Sequence, residues 1–187
     1  MLNSKILSIF AVAFAVTGVL LADEPAKPEK ATETKAPEAK SSPTQATFLI
    51  TGLHCPPCTR TVEASLKGTK GVKSVSVDWR THNAKIEFDE TLLPAQSLSQ
   101  LIAGTPHMMG GGMQYGGWLA LKAEGVKDEK TAESAKAALM KVPGVVRVVV
   151  YPAQESVGVL FDAKGKATSA QLVAALDEAG VKAKNLK

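Results

Sequence analysis

The sequence predicts an α+β protein whose folded part is two tandem βαββαβ units, each an antiparallel sheet with two helices on one face. Three observations predict it. Shifted by 73 residues, segment 46–89 falls on segment 119–162 without a gap, with nine identities in 44 positions. Those identities follow the elements: Gly52 falls on Gly125, Ala64 on Ala137, Leu66 on Leu139, and Gly71-Val72 on Gly144-Val145. Val75 and Val77 fall on Val148 and Val150, and Phe88-Asp89 on Phe161-Asp162. Finally, strand-like and helix-like hydrophobic spacing alternate in the same order in both segments.

Each element has its own reason. Ala46–Thr51 is a short apolar run fit for a strand, matched by Trp118–Ala123. Over Cys58–Lys67, Val62 and Leu66 stand four apart on one helical face, as Ala135 and Leu139 do in the later segment. Gly71 and Gly144 then close the helices, as glycine does past a helix C-terminus. Val72, Val75 and Val77 open a second strand, matched by Val145–Val150. Turns at Arg80–Asn83 and Ala153–Ser156 lead to strands Ala84–Phe88 and Val157–Phe161. A second helix follows at Ala95–Ala103 and at Ser169–Ala179, and Val181–Leu186 closes the chain as a strand. In the first unit the matching strand, or the loop leading into it, falls at Thr105–Gly110, an edge position that tolerates Pro106. This order is the ferredoxin-like arrangement. It divides the folded chain into a unit at 46–115 and a unit at 116–187.

The first 45 residues read differently. Lys5, the apolar run Ile6–Leu21 and the small Ala22 before Asp23-Glu24 make residues 1–22 a signal peptide. Cleavage after Ala22 is expected, with retention as an N-terminal anchor as the alternative; in both cases the chain is exported to the periplasm or another extracytoplasmic space. Residues 23–45 are Ala, Pro, Lys, Glu, Ser and Thr-rich, a composition that buries too little apolar surface to order itself, so they are a flexible linker. The net charge of +4 is spread along the chain and mixed with acids. No clustered basic, aromatic-interleaved patch points to nucleic acid.

Chemistry concentrates in residues 52–58, GLHCPPC, which hold both cysteines, Cys55 and Cys58. Pro56 and Pro57 suit the first turn of a helix, where no amide donor is missed. Cys58 then lies in that turn and Cys55 just ahead of it, both facing the positive helix end that favours thiolate. Two converging thiolates make a soft, low-coordinate site suited to Cu(I). Structural zinc would want four ligands, and there is no second cysteine pair. A dithiol/disulfide redox role for the CPPC motif is the competing reading, since exported cysteines often oxidise. No nucleophile–base pair, phosphate-cradling loop or paired carboxylates mark an enzyme.

A βαββαβ unit with G-x-x-C-x-x-C between its first strand and first helix resembles the heavy-metal-associated domain. That family includes copper chaperones, N-terminal domains of copper-exporting ATPases and the periplasmic mercury-binding protein. The resemblance implies that Cys55 and Cys58 bind Cu(I), with Hg(II), Ag(I) or Zn(II) as other cargoes. It implies a partner that is a metal-transporting membrane protein or another metal-binding protein, or a metal-bridged homodimer. Leu53 stands where the family usually has methionine, a residue that packs beneath the loop. The second unit carries Asp128 and Thr131 at the cysteine positions and holds no soft ligand there.

Residues 106–113, PHMMGGGM, form a second soft cluster. In the family, the loop before the fourth strand lies close to the metal loop. His107 is therefore a candidate third ligand, and Met108, Met109 and Met113 are candidate thioether donors. The glycines Gly110–Gly112 and Gly116-Gly117 also fit a hinge between two domains, and methionine is a common gap-filler of cores.

Overall fold

Alternation decides the strands. In β1 (Thr44–Thr51), Ala46, Phe48 and Ile50 are buried and point to one face. The computed structural model describes residues 43–187, so the expected signal peptide at 1–22 and nearly all of the linker at 23–45 lie outside the described residues. The strand starts at Thr44, slightly ahead of the expected Ala46.

After β1 come α1 (Pro56–Lys67), β2 (Val72–Asp78), β3 (Asn83–Phe88) and α2 (Ala95–Gly104). Then follow β4 (Gly116–Glu124), α3 (Glu129–Leu139), β5 (Val145–Tyr151), β6 (Ser156–Phe161), α4 (Ser169–Glu178) and β7 (Lys182–Asn185). A single 3-10 turn, Pro152–Gln154, joins β5 to β6. None of these helices is long and apolar enough to cross a membrane among the described residues.

The expectation of two tandem domains, each with its own sheet, is corrected here. The strands form one seven-stranded sheet in the order β2-β3-β1-β4-β6-β5, with β7 also on β4. Strand β4 belongs to both halves. On one edge its N-terminal part pairs antiparallel with β1, from Thr51 opposite Gly116 to Thr47 opposite Ala120. Further along that edge it pairs with β7, from Leu121 opposite Asn185 to Glu124 opposite Lys182. Its other edge takes β6, from Leu119 opposite Val159 to Lys122 opposite Ser156. Counting β4 in each, β2-β3-β1-β4 and β5-β6-β4-β7 are two ferredoxin-like sheets fused through a common strand.

Of the two readings of Thr105–Gly110, a fourth strand or the loop leading into it, the structure shows the loop: residues 105–115 are turns and loop before β4. The reason is local. Pro106 has no amide to donate, and Gly110, Gly111 and Gly112 all take positive φ, so the segment cannot hold a ladder. The place beside β1 goes instead to β4, where Gly117, Leu119, Leu121 and Ala123 alternate inward. Gly116 and Gly117 are therefore not a hinge. A Cβ on Gly116 would stand 2.5 Å from Thr51 Oγ1, and one on Gly117 would stand 3.0–3.2 Å from Ile102 and Ser99.

The four helices contribute Val62 and Leu66, Leu98 and Ile102, Ala135 and Leu139, and Leu172 and Leu176 to a single core with Phe48, Leu119 and Val159 of the sheet. A buried polar lock joins the halves. Gln96 of α2 is wholly buried and donates to Asp162 Oδ1 (2.6 Å) and the Lys164 carbonyl (2.9 Å), while its Oε1 accepts from the Ala167 amide (2.9 Å). Glu90 accepts from both the backbone amide and the hydroxyl of Ser169 at the start of α4. With every donor and acceptor of the Gln96 amide engaged, the lock fixes how the two halves sit on the common sheet.

Candidate metal centre

The site begins where β1 ends. Gly52 takes φ +87°, which glycine adopts without penalty, and its missing side chain leaves room for another segment. A Cβ there would stand 2.7 Å from the Gln114 carbonyl oxygen. Leu53 follows and is buried in the core beneath the loop, in the place the family's methionine was expected to occupy.

Cys55 is the N-cap of α1, in extended conformation, and its side chain makes no capping hydrogen bond. Pro56 and Pro57 open the helix, and the Cys58 amide donates to the Cys55 carbonyl at 3.0 Å. Cys58 is buried and Cys55 half-buried, and both are free thiols. No acidic side chain lies in the first turn to compete for the positive helix end.

The corresponding end of α3 shows what the cysteines replace. There Asp128 is the N-cap and accepts from the Thr131 amide at 2.8 Å, and the Thr131 hydroxyl lies 3.4 Å from the Asp128 amide, which donates to it. This capping box occupies the helix end with its own side chains. In α1 the same two positions carry sulfur, and the end stays open to an incoming ligand.

Residues 105–115 form a wall beside the cysteine loop. His107 Nε2 donates to the Gly52 carbonyl at 2.9 Å, a tautomer required because Nδ1 accepts from the Met109 amide at 3.2 Å. The His107 ring lies 4.5 Å from the Tyr115 ring and 6.0 Å from that of His54, centroid to centroid. Tyr115 is almost fully buried. Its hydroxyl finds no hydrogen-bond partner of regular geometry, yet lies near enough to the Cys58 sulfur to act on it electrostatically.

The two thiols are driven apart. Burial pushes Cys58 up, but the Cys55 thiol, the His54 backbone and the Tyr115 hydroxyl together outweigh it and hold Cys58 below an ordinary thiol. Cys55 is raised, chiefly because it donates to Cys58 and secondarily by desolvation. The two thiols interact, so their protons leave in two steps that belong to the pair. Tyr115 is itself raised, by burial first and then by its neighbour Cys58.

Of the residues singled out in the sequence, Cys55 and Cys58 adjoin each other at the start of α1. His107 reaches the same loop, but both its ring nitrogens are engaged in holding the wall to Gly52. Met108, Met109 and Met113 are 55%, 59% and 44% exposed, so they fill no core gap. Among the described residues, no group of three or more His, Cys, Asp or Glu side chains is arranged to hold a metal ion. Two sulfurs alone fit a soft ion of low coordination number and not tetrahedral zinc. Tyr115 was missed in the sequence; the signal was an aromatic set between two glycine runs, Gly110–Gly112 and Gly116-Gly117.

The model of the heavy-metal-associated domain matches residues 47–106, which include both cysteines. The chain is 29% identical over 135 residues to the copper-transporting ATPase HMA4 of Oryza sativa subsp. japonica, an alignment covering 71% of this chain and 14% of that protein. It is 30% identical over 64 residues to a probable copper-exporting P-type ATPase of Archaeoglobus fulgidus, covering 34% of this chain and 8% of the other. This chain thus spans a small part of the length of those relatives. Among solved structures, the water-soluble region of the P-type ATPase CopA from Bacillus subtilis matches at 24% identity and a TM-score of 0.38, covering 78% of this chain and 92% of that one. The family model matches once, at 47–106, and so does not support the expected second family copy over 116–187. Residues 47–106, which carry both cysteines, thus resemble a heavy-metal-associated domain.

Proposed function

We propose that this protein carries or sequesters Cu(I) through Cys55 and Cys58 and passes it on by ligand exchange. The observation that carries this reading is the uncapped N-terminus of α1, where two sulfurs stand in the positions that Asp128 and Thr131 use to close α3. As Cu(I) binds, both thiol protons leave to solvent and the helix end favours the resulting negative charge. Cys58 is the inner ligand, buried and already the more acidic thiol. Cys55 is the outer one, and the more accessible ligand to be exchanged. A partner's thiolate or thioether attacks the low-coordinate ion, a three-coordinate intermediate forms, and one original sulfur leaves and is reprotonated. Copper stays in the same oxidation state throughout. The receiving partner is a metal-transporting membrane protein or another metal-binding protein, and export of the chain belongs to the same proposal.

Mercury is the alternative cargo, since Hg(II) favours the same two-sulfur arrangement. Dithiol/disulfide enzymology fits less well. An attacking thiol must be accessible, and here Cys58 is buried and Cys55 only half-buried. Anaerobic Cu(I) titration of the reduced protein against a chromophoric chelator tests the proposal. One equivalent bound tightly and lost in Cys55→Ser/Cys58→Ser is expected; failure of the reduced protein to compete would overturn it.

A further inference from the structure

We propose that the loop at 107–113 is a second soft-metal site, in which the thioether sulfurs of Met108, Met109 and Met113 take Cu(I) or Ag(I) beside the dithiol. The inference rests on the soft-metal reading of Cys55 and Cys58, and it assigns a separate role to sulfurs outside that pair.

Exposure is the first argument. Methionine ordinarily fills irregular gaps in cores, and large apolar side chains grouped on a surface mark a binding site of some kind. These three methionines, within a few residues of one another, all stand 44–59% exposed. No packing requirement accounts for them.

The second argument is that the loop is built and not slack. Gly110 donates to the His107 carbonyl at 3.0 Å, and Met113 to the Gly110 carbonyl at 3.4 Å, so two successive turns hold the segment. The positive φ of Gly110, Gly111 and Gly112 makes that compact path available. His107 then ties the loop to Gly52, the first residue of the cysteine motif. Because Nδ1 and Nε2 of His107 are both engaged, the free donors of this loop are its sulfurs.

The chemistry follows. Thioethers are soft, neutral and need lose no proton to bind, so they select Cu(I) or Ag(I) and bind them more weakly than thiolate does. They form no disulfides, so the site persists when Cys55 and Cys58 are oxidised. An ion held there moves to the dithiol when thioether–metal bonds break, thiolate–metal bonds form and thiol protons pass to solvent. No electron changes hands.

The test uses the protein carrying Cys55→Ser/Cys58→Ser, titrated with Ag(I) and followed through the methionine ε-methyl resonances. The methyls of Met108, Met109 and Met113 are expected to move together and saturate with about one equivalent of ion. Met140, which caps α3 and is 45% exposed, serves as the internal control and is expected to stay still. Adding Met108→Leu/Met109→Leu/Met113→Leu to that background is expected to weaken Ag(I) binding about ten-fold or more. Leucine keeps the volume, and exposed positions keep the fold. Unchanged affinity in the leucine variant, or a Met140 shift at the same ion concentration, would overturn the proposal and leave the patch as an apolar contact surface. The dithiol is absent from this experiment, so its outcome is independent of the chelator competition that tests Cys55 and Cys58.

Discussion

Gly52→Ala and Gly125→Ala form a matched pair that isolates how the cysteine motif is braced. Both glycines follow the strand that leads into a helix, and their φ values, +87° and +90°, are nearly equal. Alanine in that conformation costs roughly 1–2 kcal/mol at either position. The surroundings differ. Around Gly125 an added Cβ meets nothing within 4 Å, whereas at Gly52 it meets the Gln114 carbonyl oxygen at 2.7 Å, and Gln114 C and Tyr115 Cα at 3.5 Å. The obstacle is backbone, so relief requires moving the wall that carries Tyr115 and His107, at a further cost of about 1–3 kcal/mol. Gly52→Ala should therefore lose about 2–5 kcal/mol and Gly125→Ala about 1–2. With a urea m-value of about 2 kcal/mol/M, that is a midpoint drop of about 1–2.5 M against about 0.5–1 M. Equilibrium urea unfolding of the two variants beside the parent measures both. Equal midpoint shifts would refute the claim that residues 105–115 are pressed against the cysteine loop.

Two further predictions concern the frame around the site. Gln96→Leu leaves the Lys164 carbonyl and the Ala167 amide without partners and removes one of the two donors to Asp162 Oδ1, which keeps the Lys164 amide. It should cost about 2–5 kcal/mol in urea or thermal unfolding, still in one transition because both halves share β4. Glu63 of α1 accepts from the Val77 amide at 2.9 Å and from Lys67 at 3.1 Å. Burial pushes this carboxyl up, but those two donors outweigh it and hold it below the ordinary glutamate value. A depressed folded value contributes stability that is present above the unfolded pKa of about 4.3 and is lost as pH falls through the folded one. Glu63→Gln should therefore flatten the fall in urea midpoint on acidification below about pH 4.3, and an unchanged slope would contradict it.

Local pattern carried most of the elements. Valine-rich runs, helical spacing of Val62 with Leu66 and of Ala135 with Leu139, and the closing glycines placed strands and helices to within a few residues of where they lie. What local pattern could not carry was partnership. Trp118–Ala123 reads as a strand with one buried face, and nothing in an alternating run says whether one or both of its edges are taken, or by which strands. The expectation of two separate sheets failed at that point. His107 was legible as a neighbour of the cysteines, but its role depends on where two backbone groups, Gly52 O and Met109 N, come to rest. Gln96 left a fainter trace: a polar residue between Ala95 and Leu98 on a face that should be apolar signals a buried hydrogen-bond partner across the interface.

The sharing of β4 bears directly on the candidate metal centre. A self-contained βαββαβ unit would spend the residues after α2 on a fourth strand beside β1, with its hydrogen-bonding groups committed to the ladder. Here β4 supplies that strand, pairing with β1 through Gly116–Ala120 while the rest of its length serves the second half. Residues 105–115 are thereby released from the sheet yet remain pinned at both ends, by α2 before them and by β4 after. A segment so held cannot drift far from Gly52, and its own composition decides what it presents: one buried phenol beside Cys58, one histidine as a strut, and three exposed thioethers. The second half is thus not a spare copy of the first. It takes up the rest of β4 and is locked to the first half through Gln96 and Glu90, which holds β4, and with it the end of the wall, beside β1.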